Sequence, residues 1–305
     1  MHEPGQVITS FAQLLRSVEQ GTAKVAIAAA GDLEALEALR DASRLGLARG
    51  VLVGDLERIR KLADFLQLDL SQHDLVHEED PDRAADGAVE AVTSGQAGLL
   101  MKGNLATSQL LRAVLDRRYG LRTARPLSHV GVLELKEQKR LILVTDGGVN
   151  ILPDVSRKAQ IIQNAVYVAH GLGIKQPRVA ILAAIEVVNP EMQATVDAAM
   201  LAKMADRGQL NGAIIDGPLA LDVAISQEAS EHKGLNSPVG GQADILVAPN
   251  IEAGNILLKS IQYFAGAALA GVVVGARVPL ILLSRADRAE GKLLSMALAK
   301  RLAEN

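Results

Sequence analysis

Cysteine is absent from this 305-residue chain, and disulfides, thiolate metal sites and a cysteine nucleophile go with it. A chain without cysteine tolerates any redox state, so its compartment stays open on that ground. Tryptophan is absent as well, and aromatic residues make up only 2% of the sequence. Cores therefore have to be built from Val, Ile, Leu and Ala, and a base-stacking platform is not expected. Neither charge dominates: 32 Lys and Arg face 35 Asp and Glu, a formal net charge of -3. That balance argues against the broad basic surface of a nucleic-acid-binding protein and makes any anion site local. There is no Walker A segment, and no Gly-x-Gly-x-x-Gly follows the first strand-like run, so P-loop phosphoryl transfer and a dinucleotide fingerprint are both disfavoured. His2, His73, His77, His129, His170 and His232 show no metal-ligand spacing, and no metal is expected. Met1 to Lys24 holds no apolar run of signal-peptide length. The apolar stretch 265–283 approaches the length of a membrane span. Gly266, Gly271, Gly275, Arg277 and Pro279 interrupt it, and it reads as a helix end followed by two buried strands. A soluble, cytoplasmic protein without membrane or nucleic-acid partners is the expectation.

What is present is an alternation. Hydrophobic residues at 49% of the chain allow large cores, and the length suits two α/β domains sharing a cleft. Continuous apolar runs at 24–30, 50–54 and 97–101 fit parallel strands covered on both faces. Helical stretches with Asp32, Asp55 and Asp80 at their starts lie between them. The rhythm breaks at 129–135 and 140–144, two strand-like runs joined by a short polar turn, which predicts an antiparallel hairpin. It then resumes to a closing helix marked by Leu293, Leu294, Ala297, Leu298 and Leu302. The expected fold is α/β, two-domain, with mainly parallel sheets and one antiparallel hairpin, and a boundary near residue 125.

In open α/β sheets, ligands gather beyond the C-terminal ends of the strands, so the residues after each run are the candidates. Lys102-Gly103-Asn104 follows the run at 97–101, and Thr107-Ser108 opens a helix carrying Arg112. Glycine permits close approach, hydroxyls and N–H groups hold phosphate oxygens, and Lys102 and Arg112 bring charge. An ordinary turn with a threonine cap and two solvated cations is the plain alternative. Thr145 to Asn150 holds paired glycines, which fit either ligand approach or a simple turn. Asp216 suits the cap of a helix begun by Pro218, and Asp222 lies farther into that helix. Gly254 and Asn255 stand inside an incipient helix against its propensity, which hints at a site. Ser284, Arg285 and Asp287, with Glu290, set a hydroxyl, a guanidinium and carboxylates at one helix N-terminus. That end favours anions, and arginine adds bidentate phosphate recognition.

Several segments taken together resemble one family. They are Thr-Asp-Gly-Gly-Val-Asn-Ile-Leu-Pro-Asp (145–154), Val-Asn-Pro-Glu-Met (188–192), Asp-Gly-Pro-Leu-Ala-Leu-Asp (216–222), Gly-Gly-Gln-Ala-Asp-Ile-Leu (240–246), Pro-Asn-Ile-Glu-Ala-Gly-Asn (249–255) and Leu-Ser-Arg-Ala-Asp (283–287). Their order and spacing are similar to the phosphate acetyl/butyryltransferase family from about residue 95 onward, while the first 90 residues match in strand–helix rhythm. The segments 127–130 and 216–222 look more like the butyryltransferase branch.

The resemblance implies the isocitrate/isopropylmalate dehydrogenase-like fold. Residues 1–125 plus 285–305 would form the first domain and 126–284 the second, with the active site in the cleft between them. It implies a homodimer, and reversible transfer of an acetyl or butyryl group between coenzyme A and phosphate. Acyl-CoA, phosphate and acyl phosphate would be the partners, and coenzyme A a substrate, with no cofactor bound tightly. Ser284 and Arg285 match the family's Ser-Arg pair, and Arg112 matches an arginine in the helix after the fourth strand. The acetyltransferase branch carries an aspartate where this chain has about Gly291, so Asp287, and after it Glu290, are the nearest candidate bases. Lys102, Thr107, Arg112, Asn150, Asp216, Asp222 and Asn255 are the candidate substrate-binding residues. Two other classes stand beside this reading: an NAD(P)- and metal-dependent dehydrogenase of the same fold group, and a non-catalytic protein that binds coenzyme A or phosphate.

Overall fold

In a computed structural model of the chain, the structure describes residues 6–18, 22–135, 139–282 and 289–304. Contacts divide the chain into two units, one built from residues 11–125 and 270–305, the other from 126–269 with 3–10. The first unit opens with α1 (Phe11–Ser17), β1 (Ala23–Ala28), α2 (Leu33–Arg44), β2 (Ala48–Gly54) and α3 (Leu56–Leu66). It continues with β3 (Asp74–His77), α4 (Pro81–Thr93), β4 (Leu99–Lys102) and α5 (Thr107–Leu115). β1 to β4 pair in parallel. Val25, Ile27, Leu52, Leu99 and Leu100 are buried, as apolar strands covered on both faces require. Each return helix starts where the sequence places an aspartate: Asp32, Asp55 and Asp80 accept backbone N–H groups at the starts of α2, α3 and α4. Such caps satisfy donors that a helix leaves unpaired.

The second unit begins with a hairpin of β5 (Ser128–Leu135) and β6 (Arg140–Thr145), antiparallel from Val130↔Thr145 to Leu135↔Arg140. It continues through α6 (Val155–Gly171), β7 (Arg178–Leu182), α7 (Gln193–Asp206), β8 (Ile214–Leu219), α8 (Leu221–Ile225), α9 (Gln227–His232), β9 (Ile245–Val247) and α10 (Ile251–Phe264). The strand order is β5-β6-β9-β7-β8, parallel apart from the hairpin. Leu133, Val144, Ala180, Leu246 and Leu258 lie in its core. One expectation is corrected here. Pro218 does not begin a helix, because β8 runs on through it and pairs Leu219 with Leu182. β8 ends this strand order, and an edge tolerates a residue that cannot donate.

The chain then returns to the first unit through β10 (Leu269–Val274), β11 (Leu280–Ile281) and α11 (Ala289–Ala303). β11 pairs in parallel with β4 and antiparallel with β10, extending the order to β3-β2-β1-β4-β11-β10. The returning stretch thus starts at residue 270, earlier than the 285 read from the sequence, because β11 aligns Leu280 with Leu100 and Ile281 with Met101. α11 packs on α2 and α1. Its Ser295 hydroxyl accepts from Gly271 N at 2.8 Å and donates to Gly291 O at 2.7 Å, and Lys300 Nζ donates to Val18 O at 2.6 Å. The apolar stretch near 265–283 supplies short strands, and no helix among the described residues is long and apolar enough to cross a membrane.

His73 gives the first unit a pH dependence. It is buried, and its Nδ1 accepts from Gly50 N at 2.9 Å. Burial holds the imidazole below its ordinary value, against the pull of Asp69, and Arg49 adds to the depression. The unfolded state therefore takes up the proton first as pH falls through about 6.5. The stabilisation is complete above that point and declines below it. Urea midpoints measured between about pH 7 and 5.5 should fall on acidification. His73→Gln, which keeps an acceptor but does not titrate, should flatten the part of the slope due to this residue; an unchanged slope would refute the assignment.

Candidate functional site

The ends of β1 and β4 meet in the first unit. Gly103 N donates to Ala28 O at 2.9 Å and Asn104 N to Ala29 O at 2.8 Å. A Cβ on Gly103 would run into the carbonyls of Ala29 and Ala28, so the close approach this glycine permits is that of the neighbouring strand. Lys102 is buried, and its ammonium donates to Gly103 O at 3.1 Å and Leu105 O at 3.2 Å. Thr107 is not the cap of α5. Ala106 holds that position, and the Gln109 side chain accepts from Ala106 N at 2.9 Å. Thr107 and Arg112 are solvent-facing, and Arg112 Nη1 lies 3.6 Å from Asp82. Asp32, besides capping α2, holds Lys292 Nζ of α11 at 3.0 Å in a buried ion pair. Ser284, Arg285 and Asp287 lie outside the described residues. Glu290 is exposed in the first turn of α11.

In the second unit the loop after β6 is organised by Asp146. One carboxylate oxygen accepts from Gly148 N at 2.8 Å and Val149 N at 3.0 Å, and the other from Asn150 N at 3.2 Å and Asn150 Nδ2 at 2.6 Å. Asn150 Nδ2 also donates to Leu127 O at 2.9 Å, and Asn255 Nδ2 reaches Gly147 O at 3.0 Å. Both asparagine amides therefore brace this loop. The glycines at 147 and 254 have the same purpose: a Cβ on Gly254 would meet Asp146 O and come within 3.0 Å of Gly147 Cα. Alanine inside a helix ordinarily gains about 1 kcal/mol over glycine. Gly254→Ala should instead lose about 1–3 kcal/mol through overpacking, measured by urea unfolding; a gain in stability would contradict the packing argument.

Asp216 caps no helix. Its carboxylate accepts from Gly217 N at 2.8 Å and from the Ser237 hydroxyl at 2.5 Å, and Ser237 in turn accepts from Val239 N and Gly240 N. Asp222 lies exposed in α8, 3.1 Å from Lys233, which also binds Glu186 at 2.9 Å. The hydrogen bond from Lys233, then that from Val223 N, holds the Asp222 carboxyl below its ordinary range.

One constellation escaped the sequence reading. Beyond the C-terminal ends of β6 and β9 lies a cavity of about 660 Å³, lined by 152–156, Lys158, Gln193, Ala194, Asp197, Pro249 and Asn250. Lys158 and Asp197, 4% and 5% exposed, form an ion pair of 2.6 Å there. Gln193 Nε2 donates to the other Asp197 oxygen at 2.7 Å. Lys158 shares its helical stripe with Ile162, Ala165 and Ala169, all buried. A cation on an apolar stripe was the available sign, as it was for Lys292 with Met296 and Ala299.

An α/β chain of this kind, with loops gathered at strand ends, belongs by its similarities to the acyltransferases. The family described as phosphate acetyl/butaryl transferase matches residues 82–300. A phosphate butyryltransferase of Clostridium acetobutylicum is 44% identical over 300 residues, 98% of this chain and 100% of that one. A phosphate acetyltransferase of Thermotoga maritima is 42% identical over 276 residues, 90% of this chain and 94% of that one. Among solved structures, a branched-chain phosphotransacylase from Enterococcus faecalis is similar with a TM-score of 0.83 and 34% identity, covering 93% of this chain and 99% of that one. The chain belongs to the phosphate acetyl/butyryl transferase family and has its dehydrogenase-like α/β fold.

Proposed function

We propose that this enzyme transfers a short acyl group reversibly between coenzyme A and inorganic phosphate, with coenzyme A as a substrate. The reading is carried by similarity along nearly the whole chain to a phosphate butyryltransferase and a phosphate acetyltransferase, at 44% and 42% identity. The demanding step is forming a thiolate from a thiol whose pKa is roughly 8.5. Asp287, or after it Glu290, takes that proton. The thiolate attacks the acyl carbonyl and phosphate leaves. Arg285, assisted by Arg112 or Lys102, neutralises the phosphate and the developing oxyanion, and Ser284 hydrogen-bonds the acyl phosphate. Thr107, Asp216 and Asp222 are assigned to substrate binding, together with the loops that Asn150 and Asn255 brace.

The reading carries with it a cytoplasmic homodimer. Ile256, Tyr263 and Phe264 of α10 are exposed, Phe264 at 92%, and an exposed apolar face of this kind, which a second copy would cover, supports the dimer. Sedimentation of the purified protein tests it, and a monomer at micromolar concentration would overturn that part. For the activity, purified protein is mixed with coenzyme A and acetyl phosphate, then butyryl phosphate, and thioester formation is followed by absorbance. Turnover with either is expected, and the ratio of rates sets the chain-length preference. No turnover with either substrate in folded protein would overturn the reading.

A further inference from the structure

The cavity in the second unit has a charge pattern that selects among the parts of these substrates. Its charged lining consists of Asp154, Lys158 and Asp197. Lys158 is neutralised by Asp197 at 2.6 Å, and Asp154 caps α6 through Arg157 N at 2.7 Å. The balance is one cation to two carboxylates, with no arginine, a poor setting for phosphate, acyl phosphate or the phosphates of coenzyme A. The remaining wall is largely apolar, with Pro153, Ala194 and Pro249 among it. The volume of about 660 Å³ is that of a pocket for a ligand of some tens of atoms, well beyond a two- or four-carbon acyl group.

Polar contacts suited to an uncharged chain are also present. α7 opens at Met192 without a side-chain cap, and its first two residues, Gln193 and Ala194, line the pocket; their backbone N–H groups have no acceptor within the helix. Lys158 fixes Asp197, and Asp197 fixes the Gln193 side chain by its Nε2. The Gln193 Oε1 is thereby oriented as an acceptor. An amide-containing, uncharged arm matches donors, acceptor and apolar wall together.

We propose that this pocket holds the pantetheine arm of coenzyme A, with Lys158 and Asp197 as positioning residues for Gln193. The proposal rests on the phosphate acyltransferase reading. Its test is steady-state kinetics of Ala194→Phe, which fills the pocket from a half-buried position in the first turn of α7. KM for coenzyme A should rise roughly tenfold or more, while KM for butyryl phosphate and kcat stay within about twofold. An unchanged KM for coenzyme A would overturn the proposal. So would a rise confined to the KM for butyryl phosphate, which would give the pocket to the acyl donor. Should Ala194→Phe fail to fold, Gln193→Ala at an exposed position serves instead: KM for coenzyme A should rise several-fold, and no rise overturns. Absence of turnover by the parent protein would overturn the acyltransferase reading itself, whereas an active parent with an insensitive pocket overturns the pocket alone.

Discussion

Lys158→Met is expected to lose about 3–5 kcal/mol of folding stability, the range seen when one partner of a buried ion pair is removed. Asp197 would stay 5% exposed with its charge no longer paired, keeping the Gln193 amide on one oxygen. A loss of that size is a large share of the roughly 5–15 kcal/mol that holds a typical domain together. Removing both charges in Lys158→Met/Asp197→Leu should recover most of the loss, because the desolvation of both groups disappears along with their attraction. Urea unfolding of the parent, the two single variants and the double variant gives the coupling directly. A single variant that loses less than about 1 kcal/mol would mean that water in the cavity already screens the pair. The kinetic signature differs: the double variant regains stability but leaves Gln193 without its anchor, so its KM for coenzyme A should stay raised.

Arg285→Ala is expected to lower kcat about 100-fold or more, the scale on which one preorganised group stabilising transition-state charge acts, while the unfolding midpoint barely moves. Acyl transfer to or from phosphate passes a developing oxyanion beside a dianionic group, and a guanidinium answers both with paired donors at fixed geometry. Lysine at the same position keeps the charge without the fork. Arg285→Lys should therefore recover only part of the loss, and mostly in KM for the acyl phosphate. Near-normal turnover in Arg285→Ala would remove this residue from the proposed mechanism, and Asp287 and Glu290 would have to be reconsidered with it.

Much of the fold was legible because local chemistry and tertiary structure agree. Asp32, Asp55 and Asp80 announce helix starts that they do cap, and the short polar turn after Leu135 announces the β5–β6 hairpin. Where the two disagree, the neighbours decided. Pro218 has the local character of a helix start, but pairing of Leu219 with Leu182 keeps it in an edge strand, and Asp216 turns to Ser237 instead of a helix. Thr107 was a plausible cap by type, yet Ala106 holds that position and the Gln109 side chain reaches back to its N–H.

The candidate residues divide in a similar way. The sequence by itself determined the family, the order of strand-end loops and the glycines at 103, 147 and 254, because these follow from residue type and spacing along one chain. It did not reveal why those glycines are there. Only the tertiary structure showed that Gly103 faces the carbonyls of β1 and that Gly254 faces the Asp146 loop, since close approach is a property of two segments. The same holds for Lys158 with Asp197 and Lys292 with Asp32, partners 39 and 260 residues apart. A single charged residue on an apolar stripe is visible in a sequence, but its counterion is chosen by folding, because pairing depends on distance through space.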